Sequence, residues 1–207
     1  MKTTLNIAGE RVTVTAFGDE TCAGFGGASV APNAVESCVP FVYMHEIQDE
    51  SDAVLKRCAE LGCPPFVLVA IHVPQWNNML TPWECPGIFA DDAPFAGHAK
   101  RQLEALSEIV QKAEVQLGVR PVHRCIAGYS LAGLFALWAG GQSERFSAVA
   151  GVSPSVWFPG YGNYEQAHPI RAEHVYLSLG DREEQTKNRA MAAVGNEIRA
   201  LYARLQT

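Results

Sequence analysis

Cys125-Ile126-Ala127-Gly128-Tyr129-Ser130-Leu131-Ala132-Gly133, followed by the apolar run at 134–139, decides how this chain folds. An apolar strand, a small-x-Ser-x-small turn, and a helix with no polar face until Gly140 and Gly141 make the layout of a nucleophile elbow. That turn is so tight that side chains flanking the serine must be small, or they strike the neighbouring strand and helix. Gly128 and Ala132 meet the demand. Ser130 is then expected at a strand's end and a helix's N-terminus, where free backbone N–H groups and the helix dipole favour developing negative charge. The N–H of Leu131 becomes one half of an oxyanion hole. The short form G-x-S-x-G is broken at Ala132, and the bland alternative is a Gly/Ser turn with a structural hydroxyl. The strand before and the buried helix after favour the elbow.

The bulk properties narrow the setting. A chain of 207 residues, 48% hydrophobic and 18% charged, suits a single domain over 1–207 with a substantial core. Its formal net charge of −6 gives no support to a phosphate-tracking surface, so nucleic acid is not an expected partner. Met1-Lys2-Thr3-Thr4-Leu5-Asn6 turns polar before a signal-peptide core could form, and the longest apolar run, 65–73, is too short to span a bilayer. No membrane association and a cytoplasmic location are expected. The six cysteines, Cys22, Cys38, Cys58, Cys63, Cys85 and Cys125, lack C-x-x-C spacing and read as reduced, packed thiols. None has the neighbours of a nucleophile, and no zinc site is expected from such scattered Cys and His.

From the N-terminus, 5–8 and 11–17 read as an edge hairpin turning at Ala8-Gly9-Glu10. The Gly24-Phe25-Gly26-Gly27 piece is a poor dinucleotide loop, because Pro32 and Asn33 prevent a helix from starting cleanly behind it. Two nearly all-apolar strands, 39–44 and 66–71, flank a helix over 52–61 closed by Gly62. Strands apolar on both faces and separated by helices suit the centre of a parallel sheet covered on both sides. The segment 73–97 reads as long and irregular, and its Trp76, Trp83, Phe89 and Phe95 argue that it walls a site, though any one of them could simply cap the core. A helix over 100–117 stops at Gly118, a strand over 122–127 enters the elbow, and strands follow at 146–152 and 174–179. The first of these two runs into Ser153-Pro154-Ser155-Val156-Trp157-Phe158, on the same rim as Ser130, and the second is followed at once by Gly180-Asp181. A helix over 187–205 ends the reading.

Three of these pieces together, the elbow over 126–137, the 153–160 segment and Tyr176-Leu177-Ser178-Leu179-Gly180-Asp181, resemble the esterase family of α/β-hydrolases that contains enterochelin (siderophore) esterases, esterase D-type enzymes and bacterial mycolyltransferases. The likeness runs through most of the chain from 39 onward. It implies a three-layer α/β sandwich with a mostly parallel central sheet and an N-terminal antiparallel hairpin. It also implies a Ser, acid, His triad in that chain order. Ser130 matches the nucleophile and Asp181 the acid, with Glu183 and Glu184 as nearby substitutes. The second oxyanion N–H would come from the end of the 39–44 strand, near Glu46. Trp76, Trp83, Trp157 and Phe158 would form the wall for acyl or aryl groups. No metal or organic cofactor is required.

The resemblance leaves one position unfilled, because no histidine follows Asp181. The family's last strand and its His-bearing loop are expected after the helix that ends near Leu205. A serine hydroxyl is a poor nucleophile unless a base takes its proton. His45, His72, His98, His123, His168 and His174 all precede the acid, and His45, at a strand end on the expected rim, is only a weak candidate. Three explanations compete: a shortened hydrolase, an unconventional base, or a hydrolase fold retained as a binding protein. The first is favoured, so the expected function is a serine carboxylic-ester hydrolase forming an acyl-enzyme on Ser130, with an acyltransferase or a non-catalytic binding protein as alternatives. The expected partner is a small-molecule ester. Loss of a last strand would also leave 175–179 at the sheet edge, and a homodimer through that edge is the expected consequence.

Overall fold

The computed structural model describes residues 2–18, 35–36, 39–88, 92–117 and 119–206. The Gly24-Phe25-Gly26-Gly27 piece, Cys22, Cys38, Phe89 and Gly118 lie outside the described residues. The strands are β1 (Lys2–Ile7), β2 (Glu10–Phe17), β3 (Val35–Glu36), β4 (Phe41–Glu46), β5 (Phe66–His72), β6 (Glu84–Cys85), β7 (Phe95–Ala96), β8 (Val119–Arg120), β9 (Arg124–Tyr129), β10 (Ala148–Val152) and β11 (His174–Ser178). The helices are α1 (Ser51–Glu60), α2 (Trp76–Met79), α3 (Ala99–Leu117), α4 (Leu131–Gln142), α5 (Tyr161–Ala167), α6 (Arg189–Ala192) and α7 (Val194–Leu205). The seven longer strands form a sheet in the order β1-β2-β5-β4-β9-β10-β11, an α/β architecture with parallel pairing at β4–β5 and β10–β11. The chain divides into two compact units, Met1–Pro74 with Arg101–Cys125, and Gln75–Lys100 with Ile126–Thr207.

In the first unit, the hairpin turns where Ala8 and Gly9 both have positive φ, the backbone that a tight hairpin requires. The sequence pattern reads the hairpin as an edge, but only β1 is one. β2 pairs antiparallel with β1 on one side and with β5 on the other, and Val12 and Val14 are buried. Alternation along β2 reports which face meets the core and carries no information about how many neighbours the strand has. β4 and β5 run parallel in register from Phe41↔Val67 to Glu46↔His72. Val67 to Ile71 are all buried, as their unbroken apolar run demands. Helix α3 is fixed to the strands by Glu114, whose carboxylate accepts Nε–H and Nη2–H of Arg124, each at 2.6 Å, and the Tyr43 hydroxyl at 2.8 Å.

In the second unit, residues 131–141 of α4 are all buried, which explains a helix with no polar face. The segment read as irregular holds the single turn α2 and the two-residue ladder β6–β7, pairing Glu84↔Ala96 and Cys85↔Phe95. Elements this short leave no periodicity for a sequence reading to find. The last helix is interrupted at Ala193, with Asn188 Oδ1 accepting the N–H groups of Ala190 and Met191 to start α6 separately. Arg204 on α7 reaches the buried carboxylate of Glu165 on α5 at 2.7 Å. β11 ends the sheet order, with Tyr176 exposed on it. Among the described residues no helix is long and apolar enough to cross a membrane.

Candidate active site

Ser130 caps α4 with φ 58° and ψ −120°, a conformation non-glycine residues rarely hold. Its backbone is pinned from both sides. The Ser130 N–H donates to the Val152 carbonyl at 3.1 Å, and its own carbonyl accepts the N–H groups of Leu134 and Ser155, each at 3.0 Å. The small flanking residues are explained by distance: a Cβ on Gly128 would lie 2.2 Å from the carbonyl carbon and oxygen of Ala132. One on Gly133 would lie 2.9 Å from the Gly128 carbonyl oxygen and 3.0 Å from Pro154. The helix therefore starts directly against the strand it follows. Leu131 is the first helical residue, so its N–H has no acceptor within the helix and stands beside the serine.

The end of β10 forms a strap across this corner. Ser153, also at positive φ (43°), donates its N–H to the Ser178 carbonyl at 2.9 Å, which joins the strap to the end of β11. Ser155 is buried, and its Oγ lies 3.4 Å from Ser130 Oγ. Three carboxylates follow β11, and they take different directions. Glu183 Oε1 accepts the Ser153 hydroxyl at 2.5 Å and the Gly180 N–H at 3.2 Å, so it turns back toward the strap. Glu184 pairs with Arg199 on α7 at 2.8 Å. Asp181, which the sequence reading put in the acid's place, is exposed in the turn, its backbone carbonyl accepting Gln185 Nε2. The substitute named from sequence is thus the carboxylate tied to the Ser130 rim. Sequence spacing does not disclose these directions, because a 3-10 turn over Glu183–Gln185 sets how Glu183 and Glu184 point.

The aromatic residues named from sequence differ in their surroundings. Trp83 donates its indole N–H to the Pro159 carbonyl at 2.9 Å and stacks obliquely on Phe158 and Tyr164, with centroids at 5.8 and 5.2 Å. Phe158 is buried beneath Trp83, Phe95 and Trp157. Phe158 is therefore not placed to line a surface, whereas Trp76, Trp83 and Trp157 keep partial exposure.

The histidines separate by environment. In the first unit His45 is fully enclosed, and burial pushes its pKa down to about 3, so it is a far weaker proton acceptor than an ordinary imidazole. Glu46 follows it at the end of β4. Its carbonyl accepts the Val73 N–H at 2.9 Å and its carboxylate accepts the Ser51 N–H at 3.0 Å. Burial raises the Glu46 carboxyl above its usual range, partly offset by that Ser51 bond. In the second unit His174 lies at the start of β11, opposite Ala148 and at the far end of the strand from Ser178. His168 stacks on Tyr164 with centroids 4.2 Å apart. His98 is exposed, with its backbone N–H on the Asn78 carbonyl. Burial also pushes the Cys125 thiol, on the elbow strand, up to about 11, which keeps it protonated and unreactive at neutral pH. Among the described residues no group of three or more His, Cys, Asp or Glu could hold a metal ion.

A sharply bent serine at the carboxyl end of a mostly parallel sheet, leading straight into a buried helix, defines an α/β-hydrolase-type fold. The family model described as "Putative esterase" matches residues 45–204, and the chain belongs to that esterase family, a class of hydrolases. Comparison with curated protein sequences finds no match. Among solved structures, the siderophore hydrolase EstA from Aspergillus nidulans is similar with a TM-score of 0.69 and 20% identity, covering 99% of this chain and 82% of that one. An IroE-like serine hydrolase from Shewanella oneidensis is similar with a TM-score of 0.71 and 17% identity, over 98% of this chain and 69% of that one. The enterobactin esterase FES from Shigella flexneri has a TM-score of 0.63 and 19% identity; all of this chain aligns to half of that one. At such identities the likenesses speak for the fold.

Proposed function

We propose that this esterase is a serine carboxylic-ester hydrolase that works through an acyl-enzyme on Ser130. Ser130 Oγ attacks the ester carbonyl and passes its proton to a base. The oxyanion that forms is held by the Leu131 N–H with the help of the α4 dipole. The carbon–oxygen bond to the leaving alcohol then breaks, the alcohol takes up a proton, and water hydrolyses the acyl-serine to regenerate the hydroxyl. Glu183 is the acid arm in this reading, fixed by Ser153 and Gly180, in place of Asp181. Trp83 and Trp157 offer flat apolar surface to the acyl or aryl part of the ester. The substrate class follows the siderophore hydrolase and enterobactin esterase that share the fold, together with this aromatic surface: esters of siderophore type, with an aromatic or extended acyl group.

The observation that carries the proposal is Ser130 itself, held at φ 58° with its backbone bonded on both sides and its flanking residues pared to glycine and alanine. Strain of about 1–3 kcal/mol persists where the surroundings impose it, and such places cluster at reactive centres. The test is hydrolysis of a panel of p-nitrophenyl and siderophore esters by the wild-type chain and by Ser130→Ala. Wild-type turnover with a loss of roughly 10³-fold or more in the variant is expected. Equal rates in the two would reject the reading.

A further inference from the structure

We infer that Cys58 and Cys63 form a thiol–disulfide exchange site that closes into an intramolecular disulfide on reaction with a small disulfide such as oxidised glutathione. The inference is independent of the hydrolase reading and lies at the C-terminal end of α1, ahead of β5.

Helix α1 ends in a Schellman motif. Gly62 has φ +66° and donates its N–H to the Ala59 carbonyl at 3.2 Å, and the Cys63 N–H donates to the Cys58 carbonyl at 2.9 Å. In that motif the residue after the left-handed glycine packs its side chain against the residue five positions earlier. Here both are cysteines, and the usual apolar contact is replaced by one thiol hydrogen-bonded to the other. A backbone bond of 2.9 Å between the two residues holds their Cα atoms near the spacing of roughly 4.4–6.8 Å that a disulfide needs. Both are free thiols with partial exposure, so a small reagent can reach them, while the helix and Pro64-Pro65 hold them in place. Burial, and then the neighbouring Cys63 thiol, raise the Cys58 pKa, so Cys58 rests protonated at neutral pH.

The exchange balances in two steps. One cysteine, as its thiolate, attacks oxidised glutathione; the reagent's sulfur–sulfur bond breaks, a mixed disulfide forms, and one glutathione leaves as a thiol. The second cysteine loses its proton and attacks the protein-bound sulfur, forming the Cys58–Cys63 bond and releasing a second glutathione. Two protein thiols are oxidised and one reagent disulfide is reduced to two thiols.

The experiment is treatment of the folded chain with oxidised glutathione, alkylation of the remaining thiols, and peptide mass mapping. Cys85, which is buried, serves as an internal reference. The expected result is joint loss of Cys58 and Cys63 alkylation with the loss of two hydrogen masses and no retained glutathione, while Cys85 is unchanged. Cys63→Ser should instead keep glutathione on Cys58, because the resolving thiol is gone. Independent alkylation of both cysteines after treatment, stable glutathione on the wild-type pair, or the same product from wild type and Cys63→Ser would each overturn the inference.

Discussion

Two strands of the same sheet end in opposite ways. At the end of β4 the ladder simply continues: Glu46 stays in register with His72, its carbonyl takes the Val73 N–H, and its carboxylate receives the first N–H of α1. At the end of β9 the backbone breaks from its regular path at Ser130, and β10 breaks again at Ser153, both with positive φ. Each tip precedes a helix and each carries polar residues, yet one keeps its backbone in the ladder, with the Glu46 carboxylate bonded to the helix that follows, and the other holds a hydroxyl at a bend. His45 and Glu46, the polar residues of the first tip, are both buried on regular strand backbone. What separates the Ser130 tip is imposed backbone conformation, supported by bonds to neighbouring strands.

The comparison can be broken most severely at Gly128. Gly128→Val places carbon atoms where the Ala132 backbone already lies at 2.2 Å, and we expect a loss of more than about 3 kcal/mol in urea unfolding together with loss of esterase activity. A stable, active variant would mean that the bend is looser than described. Next in size is the carboxylate that braces the strap. Glu183→Gln should lower kcat/KM by about 30- to 100-fold, since a charge-assisted bond to Ser153 and Gly180 is weakened, while Asp181→Asn and Glu184→Gln change it less than about 3-fold. A larger effect at Asp181 would support the assignment read from sequence over Glu183.

The quieter tip predicts a stability effect with a definite sign. His45 stays neutral in the fold down to about pH 3, whereas in the unfolded chain it takes up a proton near its ordinary value of 6.5. Its contribution is therefore complete above about pH 6.5 and is lost as the pH falls, because the unfolded state binds the extra proton. Between pH 7 and pH 5 this amounts to roughly 2 kcal/mol, to be read from urea midpoints at each pH. His45→Gln should flatten that slope. An unchanged slope would show that His45 does not titrate on unfolding, and so is not the buried neutral group that distinguishes this tip.

The same contrast explains what the sequence could and could not disclose. The elbow was legible because close packing leaves a mark in residue size, at Gly128, Ala132 and Gly133, and in an all-apolar α4. The longer strands and helices from β4 to β11 were legible in order for a similar reason, with boundaries displaced by about two residues at β4, β9 and β10, while α2, α5 and the two-residue strands were not. The strap was legible only as a rim segment. That Ser153 would brace Glu183, or that Ser155 would face Ser130, depends on side-chain directions set by one positive-φ residue and one 3-10 turn, and neither leaves a periodic signal. Burial of Phe158 under three rings was hidden for the same reason, since an aromatic at a rim reads alike whether it lines a wall or supports one.

The most direct test of the bent serine is labelling of the folded chain with a fluorophosphonate, followed by peptide mapping of the adduct. A single adduct on Ser130, absent in Ser130→Ala and reduced in Glu183→Gln, is the predicted result. An adduct on Ser153 or Ser155, or none on a folded chain, would contradict the account.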